Sequence, residues 1–292
     1  MTQPPVAPPA APAAGGPPAG RLAQLVRAEN LALAIALAAM MALPLVETLL
    51  RKLLRTGISG QTSLVQHLTL IVGMVGGAIA AREGRLLSLG TVEFLARGRW
   101  QPVVRAFSGA VAAAVTVLLC VAAVRFVESE RAAGGTLAYG FPLWIVQLAL
   151  PVGFALVAYR IVRRVSAEWP WRLAAAALAA LILLGAAHPP LAPERLVVPV
   201  FALLLLAAAL GAPIFTVLGG AGLILFWRDG SPIASLTVDH YSLVTNPTLP
   251  TVPLFTLAGY FLAEGGASRR LIRLFQALVG QLRGGPAILV AV

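Results

Sequence analysis

Three histidines, one cysteine and eleven carboxylates are the whole stock of imidazole, thiol and acidic side chains in these 292 residues. His67, His188 and His240 stand far apart, and Cys120 lies alone in an apolar run. No HExxH helix, GxSxG elbow or glycine-rich phosphate loop occurs. A single cysteine also forbids an intrachain disulfide or a cysteine-based metal cluster. Nucleophilic and metal-dependent catalysis are therefore not expected, and no catalytic or metal-binding residue is assigned. What remains is the chemistry of isolated polar atoms in apolar surroundings.

Three places offer it. Glu47 closes an apolar run, and an ionisable group inside a membrane span is costly and functional by default. Arg51 follows one turn later, so an i,i+4 pair at the membrane surface is the simpler reading. His67, in "SLVQHLTL", reads either as a buried polar contact between helices or as a site residue. The third place is "TNPTLPTVPLFTLAG". Pro247, Pro250 and Pro253 cannot share an ordinary helix interior, and Thr245, Asn246, Thr248 and Thr251 set oxygens beside the break. Broken backbone at membrane depth lines the transport site of many secondary transporters. The alternative is an extramembrane loop leading into a helix. The polar candidates are thus Asn246, Thr248, Thr251, Glu47 and His67.

The elements that must position these residues follow from composition. Hydrophobic residues make up 59% of the chain and charged ones 11%, against roughly 25% charged in a soluble domain. An all-α polytopic membrane protein is expected. Apolar runs at Leu31–Leu50, Gln61–Ala81, Ala106–Val124, Leu137–Tyr159, Leu173–Ala187, Leu196–Leu210, Ile214–Trp227 and Leu249–Ala263 give about eight transmembrane helices. A ninth begins at Pro286 and is incomplete at Val292. Gly211-Ala212-Pro213 divides the uncharged stretch from Leu196 to Trp227 into a tight helical hairpin.

Charge placement sets orientation. With the N-terminus in the cytoplasm, fifteen of the 22 arginines and lysines fall on inside segments, chiefly 82–105, 160–172 and 269–283. The net charge of +11 sits at the edges of apolar runs rather than in one patch, which suits lipid headgroups and not nucleic acid. Residues 1–26 form a Pro/Ala-rich tail, expected to be disordered. From Ser268, Leu271, Ile272, Leu274, Phe275, Leu278, Val279 and Leu282 follow the helical period, with Gly284-Gly285-Pro286 as a stop. This is an amphipathic helix on the inner surface, with Arg269, Arg270 and Arg273 toward headgroups.

Two regions resemble the tripartite ATP-independent periplasmic (TRAP) transporters. "GAPIFTVLGGAGLILFW" and "VPLFTLAGYFLAEGGASRRLIRLFQALVGQLRGG", within 196–292, are similar to the start of the large, DctM-like membrane subunit. "LVETLLRKLL" and "GQTSLVQHLTLIVGMVGGAIAAREGRLLSL", within 27–165, resemble the small, DctQ-like subunit through order and topology. Residues 166–195, with one short span, join the two. The resemblance implies a sodium-driven secondary transporter of the bacterial inner membrane, with an elevator-type scaffold and no cofactor beyond sodium as coupling ion. It implies uptake of a small organic acid, a carboxylate, delivered by a separate periplasmic substrate-binding protein. The family's sodium and substrate ligands are expected beyond Val292, the chain being read as the N-terminal part of a longer protein. A membrane structural or assembly protein without a transport path, and a different secondary transporter, are the competing readings.

Overall fold

The computed structural model describes residues 21–89, 100–188 and 192–266, together with Arg270, Arg273, Leu274 and Ala277. Among the described residues every regular element is helical. A chain this apolar, placed in a bilayer, must satisfy its backbone within each segment, and helices do so. The order is α1 (Arg21–Leu53), α2 (Gln61–Glu83), α3 (Gln101–Ala133), α4 (Leu143–Gln147), α5 (Ala149–Arg164), α6 (Trp169–Ala187), α7 (Pro193–Ala209), α8 (Ile214–Arg228), α9 (Ala234–Val244) and α10 (Thr251–Glu264).

Local sequence explains most of the boundaries. α2 and α3 stop at Gly84 and Gly134, both at φ 70°, where glycine carries no Cβ penalty. Their amides return to the carbonyls of Ala80 and Glu130. Pro170 and Pro193 open α6 and α7 inside the first turn, where a missing N–H costs nothing. Gly211, at φ 95°, turns α7 into α8, and Pro213 stands in extended conformation just before Ile214. The expected hairpin is present.

Several expected bounds differ. α1 begins at Arg21, so residues 21–26, expected in the disordered tail, are helical. α3 continues past Val124 to Ala133, so Arg125 and Arg131 extend the helix instead of lying in a loop. Nothing in "RFVESERAA" breaks a helix before Gly134 supplies the left-handed stop. The next run starts at Leu143 rather than Leu137, because Tyr139 and Gly140 take positive φ and Thr136 pairs back to Pro142. The stretch between Arg228 and Leu249 also differs: it carries α9.

Among the described residues, five segments are long and apolar enough to cross a bilayer: Ala23–Leu53, Gln61–Glu83, Gln101–Ala133, Leu143–Arg164 (α4 with α5) and Trp169–Ala187. α7, α8 and α10 are shorter, at 17, 15 and 14 residues. α3 is the central post. Two thirds (67%) of its most apolar window is buried, against 11% for α6, and it packs against α5, α6, α7, α8 and α9. Half of its buried residues are alanine, among them Ala110, Ala112, Ala113, Ala114, Ala122 and Ala123. Such small residues let helix backbones approach, which drives association where lipid supplies no hydrophobic contrast.

Arg270, Arg273, Leu274 and Ala277 are helical, as an amphipathic surface helix requires. Arg269, the remainder of that helix, the ninth run and residues 1–20 lie outside the described residues.

Candidate functional site

The polar candidates occupy three separate places. At one end of α1, Glu47 is only 7% exposed. Its Oε1 accepts from the Arg51 guanidinium at 2.6 Å, and its Oε2 accepts from the Ile58 amide at 2.5 Å. Gly57 passes so close that a Cβ there would sit 2.8 Å from Oε1. The carboxylate therefore organises the turn from α1 to α2, satisfying a backbone donor that the turn leaves free.

His67 stands on α2, 6% exposed. Its Nδ1 lies 2.6 Å from the Ser63 carbonyl and its Nε2 2.6 Å from the Tyr241 hydroxyl on α9. A carbonyl only accepts, so Nδ1 carries the proton; in the neutral ring Nε2 then accepts from Tyr241. The Tyr241 ring also packs on Phe126 of α3, with centroids 5.3 Å apart. Gln147, fully buried at the end of α4, sets its amide nitrogen 3.5 Å from Glu130. Gln147 is the lone polar residue in "LWIVQLALP", the signal by which sequence could have flagged it. Tyr241 gave no such signal.

Asn246, Thr248 and Thr251 are exposed and use their oxygens locally. Asn246 Oδ1 accepts from the Thr248 amide at 3.0 Å and from its hydroxyl at 2.6 Å, and the Thr251 hydroxyl donates to the Thr248 carbonyl at 2.5 Å. These are the side-chain-to-backbone bonds of a turn that starts a helix. Among the described residues they converge on neither Glu47 nor His67. A cleft of about 320 Å³ touching Ser88, Arg105, Arg164 and Pro213, and an apolar one of about 370 Å³ touching Leu118, Leu203 and Trp227, contain none of the five candidates. No cluster of three His, Cys, Asp or Glu suited to a metal occurs among the described residues.

A further cluster was not anticipated. Glu29 on α1 pairs with Arg82 of α2 at 2.6 Å and with Arg160 of α5. Asn30 accepts from Arg82 at 2.8 Å, and Arg164 donates to the Arg82 carbonyl at 2.5 Å. The Arg82 and Arg160 side chains are 19% and 13% exposed, so Glu29 supplies the counter-charge that half-buried guanidinium groups need. The available signal was that Glu29 is the only carboxylate before Glu47.

Contacts join the two halves of the chain. The Ile214 amide donates to the Leu87 carbonyl at 2.9 Å, the glycines of α8 seat Leu119 and Val115 of α3, and Tyr241 reaches His67. Residues 40–170 match the model of the DctQ component of tripartite ATP-independent periplasmic transporters, and residues 200–292 match that of the DctM component. The chain belongs to the TRAP transporter family. It carries DctQ and DctM regions in one polypeptide. It is 32% identical over 151 residues to the isethionate TRAP transporter permease protein DctMQ of Oleidesulfovibrio alaskensis, covering 50% of this chain and 24% of that protein. Large permease proteins DctM of C4-dicarboxylate TRAP transporters are also similar. That of Pseudomonas aeruginosa is 41% identical over 71 residues, covering 24% of this chain and 16% of its own length. That of Vibrio cholerae is 36% identical over 80 residues, covering 27% and 18%. The chain thus spans about a quarter or less of the length of these relatives.

Residues 40–170 take in the later part of α1 and all of α2 to α5, residues 200–292 the later part of α7 and all of α8 to α10, and most of α6 lies between them. The His67–Tyr241 bond crosses from one region to the other.

Proposed function

We propose that this protein is the membrane permease of a secondary transporter that takes up a small organic acid, a carboxylate, from a periplasmic substrate-binding protein. The observation that carries the reading is the presence of both TRAP membrane components in order within one chain, at 40–170 and 200–292. The printed substrates of the relatives, isethionate and C4-dicarboxylates, are small organic anions and support the substrate class. Sodium is the proposed coupling ion, and the bacterial inner membrane, with the N-terminus in the cytoplasm, the proposed location.

The packing supports a fixed scaffold in an elevator-type mechanism. The Glu29–Arg82–Arg160 cluster ties α1, α2 and α5 together, and the α7–α8 turn docks on the strap after α2. Polar ties of this kind give discrete geometry where apolar contacts alone slide easily. Asn246, Thr248 and Thr251 serve in this reading as the turn that starts α10, with the substrate and sodium ligands elsewhere.

The test is uptake of labelled carboxylate by proteoliposomes holding the permease expressed from its own reading frame. Uptake that needs both an inward sodium gradient and the cognate binding protein is the expected result. Uptake without any binding protein would point to an ordinary secondary transporter. No uptake under any condition would favour a structural or assembly role.

A further inference from the structure

We propose that His67 and Tyr241 are a pair of positioning residues that lock α9 of the DctM region onto α2 of the DctQ region. The lock sets the place from which the broken stretch Thr245–Pro250 departs. α9 leans on four different helices along its length. Near its start Leu236 fills the notch at Gly222 of α8, where a Cβ would lie 2.8 Å from Leu236 Cδ1. Its middle rides on α3 and α5, with His240 against Phe154 at 5.8 Å between ring centroids. Its far end delivers Tyr241 to His67. The helix therefore crosses the central post from the DctM hairpin to the DctQ helices.

At the start and middle, Leu236 sits in the glycine notch and His240 lies against the Phe154 ring with its Nε2 unpartnered, so neither contact fixes the register by a hydrogen bond. Ring and van der Waals contacts of this kind are less directional than a hydrogen bond between two buried side chains. The far end is different. His67 Nδ1 is held by the Ser63 carbonyl, so the ring presents Nε2 in one direction only, as an acceptor. Tyr241 has one hydroxyl proton to give, and its ring is packed against Phe126. Any shift of α9 by one residue turns the tyrosine roughly 100° about the helix axis and strands a buried imidazole acceptor. Tyr241 lies one turn before Thr245, whose hydroxyl donates to the Tyr241 carbonyl at 2.8 Å. The locked residue and the first residue of the break are thereby one rigid unit. Each half of the bond comes from a different TRAP component, so the lock serves their mutual placement and not the folding of either alone.

The proposal is independent of what is transported, and its test is read without a transport assay. Amide hydrogen exchange is measured on the purified permease in nanodiscs for the parent, His67→Leu, Tyr241→Phe, the double variant and His67→Gln. Tyr241→Phe keeps the ring against Phe126 and removes only the hydroxyl, so it is the variant least disposed to misfold. Exchange across Asp239–Thr245 should quicken about tenfold in each single variant. It should quicken no further in the double variant, since both changes delete one interaction. His67→Gln, which restores an acceptor near Nε2, should recover most of the protection. Exchange in α8 and α3 should stay as in the parent. Unchanged exchange in α9 for both single variants overturns the lock. So does a rise spread equally over α3, α8 and α9, which would mean general loosening, or additive effects in the double variant.

Discussion

Glu29 holds two guanidinium groups at once, and that makes it the residue whose loss should be felt most widely. Removing its charge leaves Arg160, 13% exposed, without its carboxylate partner, and leaves Arg82, 19% exposed, with the longer 3.5 Å contact to Glu83. Glu29→Gln should destabilise the helical block by about 1–3 kcal/mol, since breaking one side of a half-buried pair costs more than the pair itself contributes. Thermal unfolding in detergent checks it, with Arg85→Gln as the comparison. Arg85 is 81% exposed and 3.8 Å from Glu83, so its loss should move the midpoint little. Glu47 poses a more local problem. Glu47→Ala deprives the Ile58 amide of its acceptor, whereas Arg51→Ala removes only a partner that is 74% exposed. Limited proteolysis should therefore cut residues 54–60 faster in Glu47→Ala than in Arg51→Ala. Equal cutting would mean that the arginine and not the amide is the important partner.

At the scale of elements, close approach of helices is set by a few glycines. A Cβ at Gly153 of α5 would lie 2.5 Å from Met74 Cε and 2.9 Å from Met74 Cβ, both on α2. At Gly220 of α8 it would lie 2.7 Å from Leu204 Cδ2 and 3.3 Å from Val115. Valine at either position must push two helices apart, and overpacking of this kind costs about 1–3 kcal/mol. Gly185 of α6 has no atom within 4 Å of a Cβ position. Gly153→Val and Gly220→Val should each lower the unfolding temperature clearly, and Gly185→Ala should not. A lowered midpoint for Gly185→Ala alone would overturn this account, because that position is open and alanine is the better helix former.

For the whole molecule, orientation is the property on which the proposed function most depends, because in that proposal a binding protein delivers substrate from one side only. Basic residues concentrate on the segments expected inside. In a Cys120→Ala background, Thr136→Cys, in the exposed turn after α3, should react with an impermeant maleimide added outside. Arg85→Cys, in the exposed strap after α2, should react only after the membrane is opened. The reverse pattern would invert the molecule and place the Glu29 cluster outside. Cys120 itself donates to the Pro151 carbonyl at 3.3 Å, so its replacement removes one weak bond within the helical block.

What the amino-acid sequence determined by itself is what local rules determine. The all-helical, membrane-embedded character follows from apolar content and backbone satisfaction, and the α7–α8 hairpin from Gly211-Ala212-Pro213. Both family regions were also legible, since "GAPIFTVLGGAGLILFW" and the stretches beside it are contiguous in the chain. Other features were decided only by tertiary structure. α9 was overlooked because "ASLTVDHYSLV" is neither long nor evenly apolar, and it gains its stability from resting on α3. Glu29 meets Arg82 and Arg160 across 53 and 131 residues of chain, and His67 meets Tyr241 across 174. No spacing rule connects partners so distant. A lone polar residue in an apolar run announces that it must have a partner, because burial without one is costly, but only the packing of helices says which partner that is.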